Sequence, residues 1–137
     1  MRNLKSGNVG LMGMVFVLSL NLAVSMAIAE KSSNVSKLVF TTPPVTIQGN
    51  MISDVIRIAA LDNSNKIDIT FNETATITTS SLSGEFSLNT ETWVPINKVP
   101  LVKGEGKVYY RDSEQGVYTL SIVFKELSDS QTILVIK

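Results

Sequence analysis

The chain reads as an all-β protein, an antiparallel two-sheet sandwich of seven to eight strands preceded by a signal peptide. Three observations predict this. From Lys37 onward, apolar and polar residues alternate with period two in short segments. Clusters of Gly, Pro, Asn, Asp and Ser interrupt those segments about every ten residues, the spacing of a sandwich. No stretch carries a helical period.

The first 29 residues read as an export signal. Arg2 and Lys5 give a short positive start, Leu11 to Leu22 is an apolar run broken only by glycine, serine and asparagine, and Ala27-Ile28-Ala29 places small residues where a signal peptidase reads. The mature chain is expected to begin at Glu30, and the protein to be secreted or held at the cell surface. The alternative is an uncleaved anchor, because apolar character runs from Val9 to Ala29, long enough for a bilayer. Membrane contact is expected only through that leader. A pilin-type leader would carry an acidic residue where Val15 stands.

Residues 30–36 read as a polar linker, and 37–137 as one domain. Leu38 and Phe40 open a strand that stops at Thr41-Thr42-Pro43-Pro44 and resumes over Val45 to Gln48. Two prolines there suit an edge strand that kinks and changes partner, since neither can donate to a ladder. Asp54 to Leu61 follows, with Ile56, Ile58 and Ala60 on one face, then the turn cluster Asp62-Asn63-Ser64-Asn65. Short strands are expected at Ile67 to Phe71, Thr74 to Thr79 and Glu85 to Leu88. Thr90 to Leu101 is irregular. Gly104-Glu105-Gly106 opens a strand with Val108 and Tyr110 on one face and Lys107, Tyr109 and Arg111 on the other. Val117 to Phe124 is the clearest strand, and Ser128-Asp129-Ser130 is read as the turn into a last strand, Thr132 to Ile136.

Composition narrows the chemistry. The 137 residues contain no cysteine and no histidine. Disulfides, thiol catalysis, lipid attachment through cysteine, and the commonest general base and zinc ligand are therefore all excluded. An enzyme is not thereby abolished, because paired carboxylates alone can hydrolyse glycosides. Twelve basic residues less Arg2 and Lys5 leave ten against twelve acidic ones, a mature charge of about minus two. With no basic stripe, no nucleic-acid partner is expected, and no cofactor either.

Leu38-Val39-Phe40-Thr41-Thr42-Pro43-Pro44, then Gly49, then Ser53-Asp54-Val55-Ile56-Arg57-Ile58, resembles the opening of bacterial immunoglobulin-like repeats of the Big or invasin type, found in multi-domain surface proteins. Gly84-Glu85-Phe86-Ser87 and Val108-Tyr109-Tyr110-Arg111-Asp112, followed by Gly116 and Thr119, resemble that family's later strands. The resemblance covers most of residues 37 to 136, with Trp93 outside the pattern. It implies an immunoglobulin-like sandwich with a structural or adhesive role and no shared catalytic residues. Independently, Glu114, Gly116, Tyr118 and Leu120 occupy the positions of a tyrosine corner, where Tyr118 would donate to nearby main chain and Leu120 takes the place of the antibody cysteine. The other reading of Tyr118 is a plain core aromatic.

Candidate sites are few. Asp62, Asn63, Asn65 and Asp68 could ligate calcium, although an ordinary polar turn needs the same residues. Asp112, Glu114 and Asp129 could converge at one end. Thr74, Thr76 and Thr78 form a hydroxyl row, a pattern that β-propensity alone also produces. Trp93 and Tyr109 are the aromatics expected at a binding surface, which a carbohydrate-binding module would need exposed and flat. Asn34-Val35-Ser36 and Asn72-Glu73-Thr74 fit the N-glycosylation pattern. Ile133, Leu134, Val135 and Ile136 are consecutively apolar, so one pair must face outward, and Ile133 and Val135 are taken with Trp93 and Tyr109 as a possible contact surface. The expected function is a non-catalytic surface module contacting protein or glycan partners, with self-association through edge strands possible. Its rivals are a carbohydrate-binding module and a fibre subunit exchanging residues 30 to 40.

Overall fold

The computed structural model describes residues 34–137; the leader and the start of the linker lie outside the described residues. Nine strands follow in order: β1 (Lys37–Phe40), β2 (Val45–Gln48), β3 (Ile56–Leu61), β4 (Thr74–Thr79), β5 (Glu85–Ser87), β6 (Lys98–Pro100), β7 (Glu105–Arg111), β8 (Gly116–Phe124) and β9 (Leu127–Ile136). One sheet has the order β1-β3-β7-β5 and the other β2-β9-β8-β4-β6. The first matches the A-B-E-D order of an immunoglobulin-like sandwich, and β9-β8-β4 of the second matches its G-F-C order, with β2 and β6 added at the two edges. All pairings are antiparallel except β2, which runs parallel to β9.

Alternation explains the layers. Ile56, Ile58 and Ala60 of β3, Val108 and Tyr110 of β7, Ala75 and Ile77 of β4, and Leu120 and Ile122 of β8 point inward and are almost wholly buried. Phe71 meets Phe124 edge-on at 5.1 Å between ring centroids. Phe86 tilts against Tyr110 at 5.0 Å.

The change of partner at Pro43-Pro44 is present. Thr41 N donates to Arg57 O as the last rung on β3, after which the chain crosses to the opposite sheet. β9 stitches the crossing with inward polar groups: Asp129 Oδ2 accepts from Phe40 N at 2.9 Å, and Gln131 Nε2 donates to Thr42 O at 3.0 Å. Ser128-Asp129-Ser130 is therefore strand and not turn. Its polarity satisfies backbone that the prolines leave without a ladder. The turn itself falls at Lys125-Glu126, where Lys125 adopts φ +53° and Phe124 pairs with Leu127.

Two other expectations are corrected. Ile67 to Phe71 is not a strand: Ile67 makes one bridge to Leu61, and the buried Asp68 then bends the chain by accepting from Thr70 N and Thr70 Oγ1. Such a side-chain-to-backbone bond competes with a ladder. The irregular segment yields β6, a three-residue edge strand on β4, and brings the count to nine.

Candidate functional site

Most of the residues singled out by sequence fall in three regions. The first is the end of the sandwich formed by residues 49–55, 80–84 and 112–115. Asp112, 1% exposed, ties these loops together. Its Oδ2 accepts from Tyr110 Oη at 2.6 Å, and its Oδ1 from Ser83 Oγ at 2.5 Å and Glu114 N at 3.0 Å; its carbonyl accepts from Asn50 N. Tyr110 Oη also lies 3.0 Å from Thr79 Oγ1, and Tyr110 N donates to Ser53 Oγ. Burial, reinforced by the bond to Asp112, pushes the Tyr110 phenol far above its ordinary value. Burial of Asp112 opposes its charge, but the hydroxyls of Ser81, Ser83 and Tyr110 and the amide of Glu114 outweigh that and hold its pKa below the usual carboxylate value. The result is a neutral donor on a charged acceptor, with both carboxylate oxygens consumed internally.

Tyr118 Oη donates to Gln115 O at 3.2 Å from a half-buried ring lying over Gly116. The deeply buried, networked tyrosine is Tyr110. Asp129 lies opposite Ile122, along β8 from the Gly116 end, so it does not join Asp112 and Glu114.

The second region is the outer face of β5 and β7. The half-buried Trp93 donates from Nε1 to Glu85 Oε1 at 3.1 Å, and the Arg111 guanidinium sits 4.4 Å over its ring. Arg111 closes the triangle through Nε and Nη2 to the same Glu85 oxygen. One face of the indole is thus covered by a cation, and Trp93 is not the open platform that the carbohydrate-binding reading requires. Tyr109, two residues before Arg111 on the same face, is half-buried.

The third region is the outward face of β2-β9-β8-β4-β6. Ile133 and Val135 are fully buried core, which corrects their placement in a contact surface; Leu134 and Ile136 face outward at 38% and 43% exposure. An even side-chain period forces this once Asp129 and Gln131 turn inward. Cross-strand rows on the face read Thr46-Leu134-Val117, Thr132-Thr119, Ser130-Ser121-Thr78 and Ser128-Val123-Thr76-Lys98. The expected Thr74, Thr76 and Thr78 row is one edge of a wider field of hydroxyls and β-branched side chains. Lys98, on the edge strand, is its one charge among the described residues, and no aromatic ring points outward on it.

The candidate calcium loop is a polar turn. Asp62 Oδ1 accepts from Ser64 N and Lys66 N, Asn65 adopts φ +62°, and Lys37 Nζ donates to Asn65 Oδ1. Asp68 is engaged by Thr70 and by Asn34 N, and no group of three or more ligating side chains occurs among the described residues. Asn72 is exposed, and its Oδ1 accepts from Lys103 N.

No family model matches the chain, and no curated protein matches it. Solved structures share its fold. Domains 4 and 5 of the S-layer protein SbsC superpose with a TM-score of 0.57 at 10% identity, over 77% of this chain and 48% of that one. A glycosyl hydrolase family 2 member from Bacteroides cellulosilyticus DSM 14838 gives 0.57 at 16% identity, over 72% of this chain and 15% of that one. A β-glycosidase from Bacteroides vulgatus gives 0.55 at 15% identity, over 74% and 14%. The chain spans about half of the S-layer fragment and a small part of each glycosidase. At these identities the likeness is one of fold.

Proposed function

We propose that this protein is a non-catalytic structural or adhesive module of a bacterial cell surface, related to the immunoglobulin-like repeats that its strand motifs resemble. The observation that carries the reading is the outward face of β2-β9-β8-β4-β6, a broad contact surface with one edge charge. The side chains that such sheets turn to water are polar, and here nearly all of them are uncharged; depletion of charge is a feature of the centre of an interface. The buried Asp112 supports the same reading, because both of its oxygens brace loops from within the fold. The fold likeness to an S-layer protein adds support.

The test is where the protein resides and whether it turns anything over. Biotinylation of intact source cells with an impermeant reagent should label the chain, and the purified protein should release no product from a panel of aryl glycosides. An intracellular location, or turnover abolished by substituting a carboxylate, would overturn the proposal.

A further inference from the structure

The charge-depleted face has a shape and chemistry that restrict its occupant. Many sandwiches hold a glycan on an aromatic platform, and no ring points outward here. A nucleic acid, an acidic peptide or an anionic lipid surface requires basic side chains, and Lys98 stands alone at the edge. A fitting partner is flat, uncharged and built of small β-branched and hydroxyl side chains. This chain presents such a surface itself.

We infer that the face is a self-association surface, on which a second copy of this chain packs face to face. The inference deepens the module reading by naming the partner. A two-fold axis running along β8, the central strand, sets Val117 against Val117 and Thr119 against Thr119 of the second copy. It also keeps the apolar end of one face, where Val117 is 68% exposed and pairs with Leu134, over the apolar end of the other. No like charges meet near the axis, so the arrangement escapes the repulsion that self-pairing of a charged face would suffer. Small side chains allow the roughly 10 Å sheet separation found inside sandwiches. Strands about 4.8 Å apart and about seven residues long give roughly 500 Å² per copy, hence roughly 1,000 Å² in the pair. That is close to the minimum for a specific interface, so pairing is concentration-dependent and not obligate.

Sedimentation velocity of the purified chain from micromolar to millimolar concentration tests this. The expected result is a reversible monomer–dimer equilibrium, weakened at least about tenfold by Thr119→Glu or Val117→Glu, which place a carboxylate beside its own copy. Circular dichroism of these exposed-site variants should match the parent. Because the chain has no cysteine, Thr119→Cys provides a second readout: a bismaleimide long enough to span the sheet separation of about 10 Å should cross-link it into dimers faster than Lys107→Cys, on the opposite sheet. A strict monomer at millimolar concentration would overturn the inference and leave the surface-module reading standing. So would a dimer indifferent to both glutamates, or equal cross-linking at the two cysteine positions. Pairing by a chain that proves intracellular would support the inference while the module reading failed.

Discussion

Tyr110 Oη donates a 2.6 Å hydrogen bond to Asp112 Oδ2, two residues further along the chain and just past the end of β7. That bond fastens a core aromatic to the loops at one end of the sandwich. Tyr110→Phe keeps the ring against Phe86 but leaves a buried carboxylate oxygen without its donor. The expected loss is about 2 kcal/mol, since an unsatisfied buried polar group costs more than a hydrogen bond contributes. Urea denaturation measures it, and a change below about 0.5 kcal/mol would mean that water replaces the donor.

Acid should destabilise the protein through the same carboxylate. The folded-state pKa of Asp112 lies below the ordinary 3.8. Its charge therefore stabilises the fold fully above that value, and the contribution is lost as pH falls through the lower folded value. Stability measured by urea titration at successive pH values should drop on this acid limb, and Asp112→Asn should flatten the drop while lowering stability at neutral pH. A parallel acid limb in the variant would assign the drop to other carboxylates.

Two glycines separate a pinned tyrosine from a yielding one. A Cβ on Gly84 would overlap Tyr110 Oη, which Asp112 and Thr79 hold in place. A Cβ on Gly116 would come within 2.9 Å of the Tyr118 ring, which is half-buried and held by one bond. Gly84→Ala should cost about 2–3 kcal/mol by overpacking against the pinned ring. Gly116→Ala should cost stability chiefly because a φ of +157° favours glycine. Thermal melts of Gly116→Ala with and without Tyr118→Leu separate the two causes, and a cost that vanishes without the ring would show that Tyr118 is as rigid as Tyr110.

Much of this architecture is legible in the sequence. Alternation in β4, β7 and β8 is strict enough to assign both faces, and Pro43-Pro44 announces the change of sheet because neither residue has an amide to donate. What stays hidden is what topology alone assembles. Ser53, Thr79, Ser83, Tyr110 and Asp112 come from four separate stretches, and their one local signal is a tyrosine two residues before an aspartate at a strand end. Asp129 looks like a turn residue until the backbone that it satisfies is known. Four consecutive apolar residues at 133–136 have no period, so their facing had to come from the register with β8.

That facing gives a direct contrast. Ile133→Ala, at a wholly buried position, should cost about 2–5 kcal/mol. Leu134→Ser, one residue on, should cost less than about 1 kcal/mol in the isolated chain. Equal costs would place Leu134 against covering structure.

Trp93 is the sole tryptophan, so its fluorescence reports on the outer face of β5 and β7 without interference. Arg111→Met removes the guanidinium above the ring and the pair with Glu85, both of which are 40% exposed. Stability should fall by less than about 1 kcal/mol, as for surface pairs. Emission should shift to the red and iodide quenching should rise. An unchanged spectrum would show that the cation does not shield the indole.

The most direct test of the central claim, that this protein works through the outward face of β2-β9-β8-β4-β6, is a concentration series of amide NMR spectra. Shift changes concentrated at Val117, Thr119, Ser121, Thr132 and Leu134 are the predicted result. Changes centred on Trp93 or on the loops tied by Asp112, or spectra invariant to millimolar concentration, would contradict it.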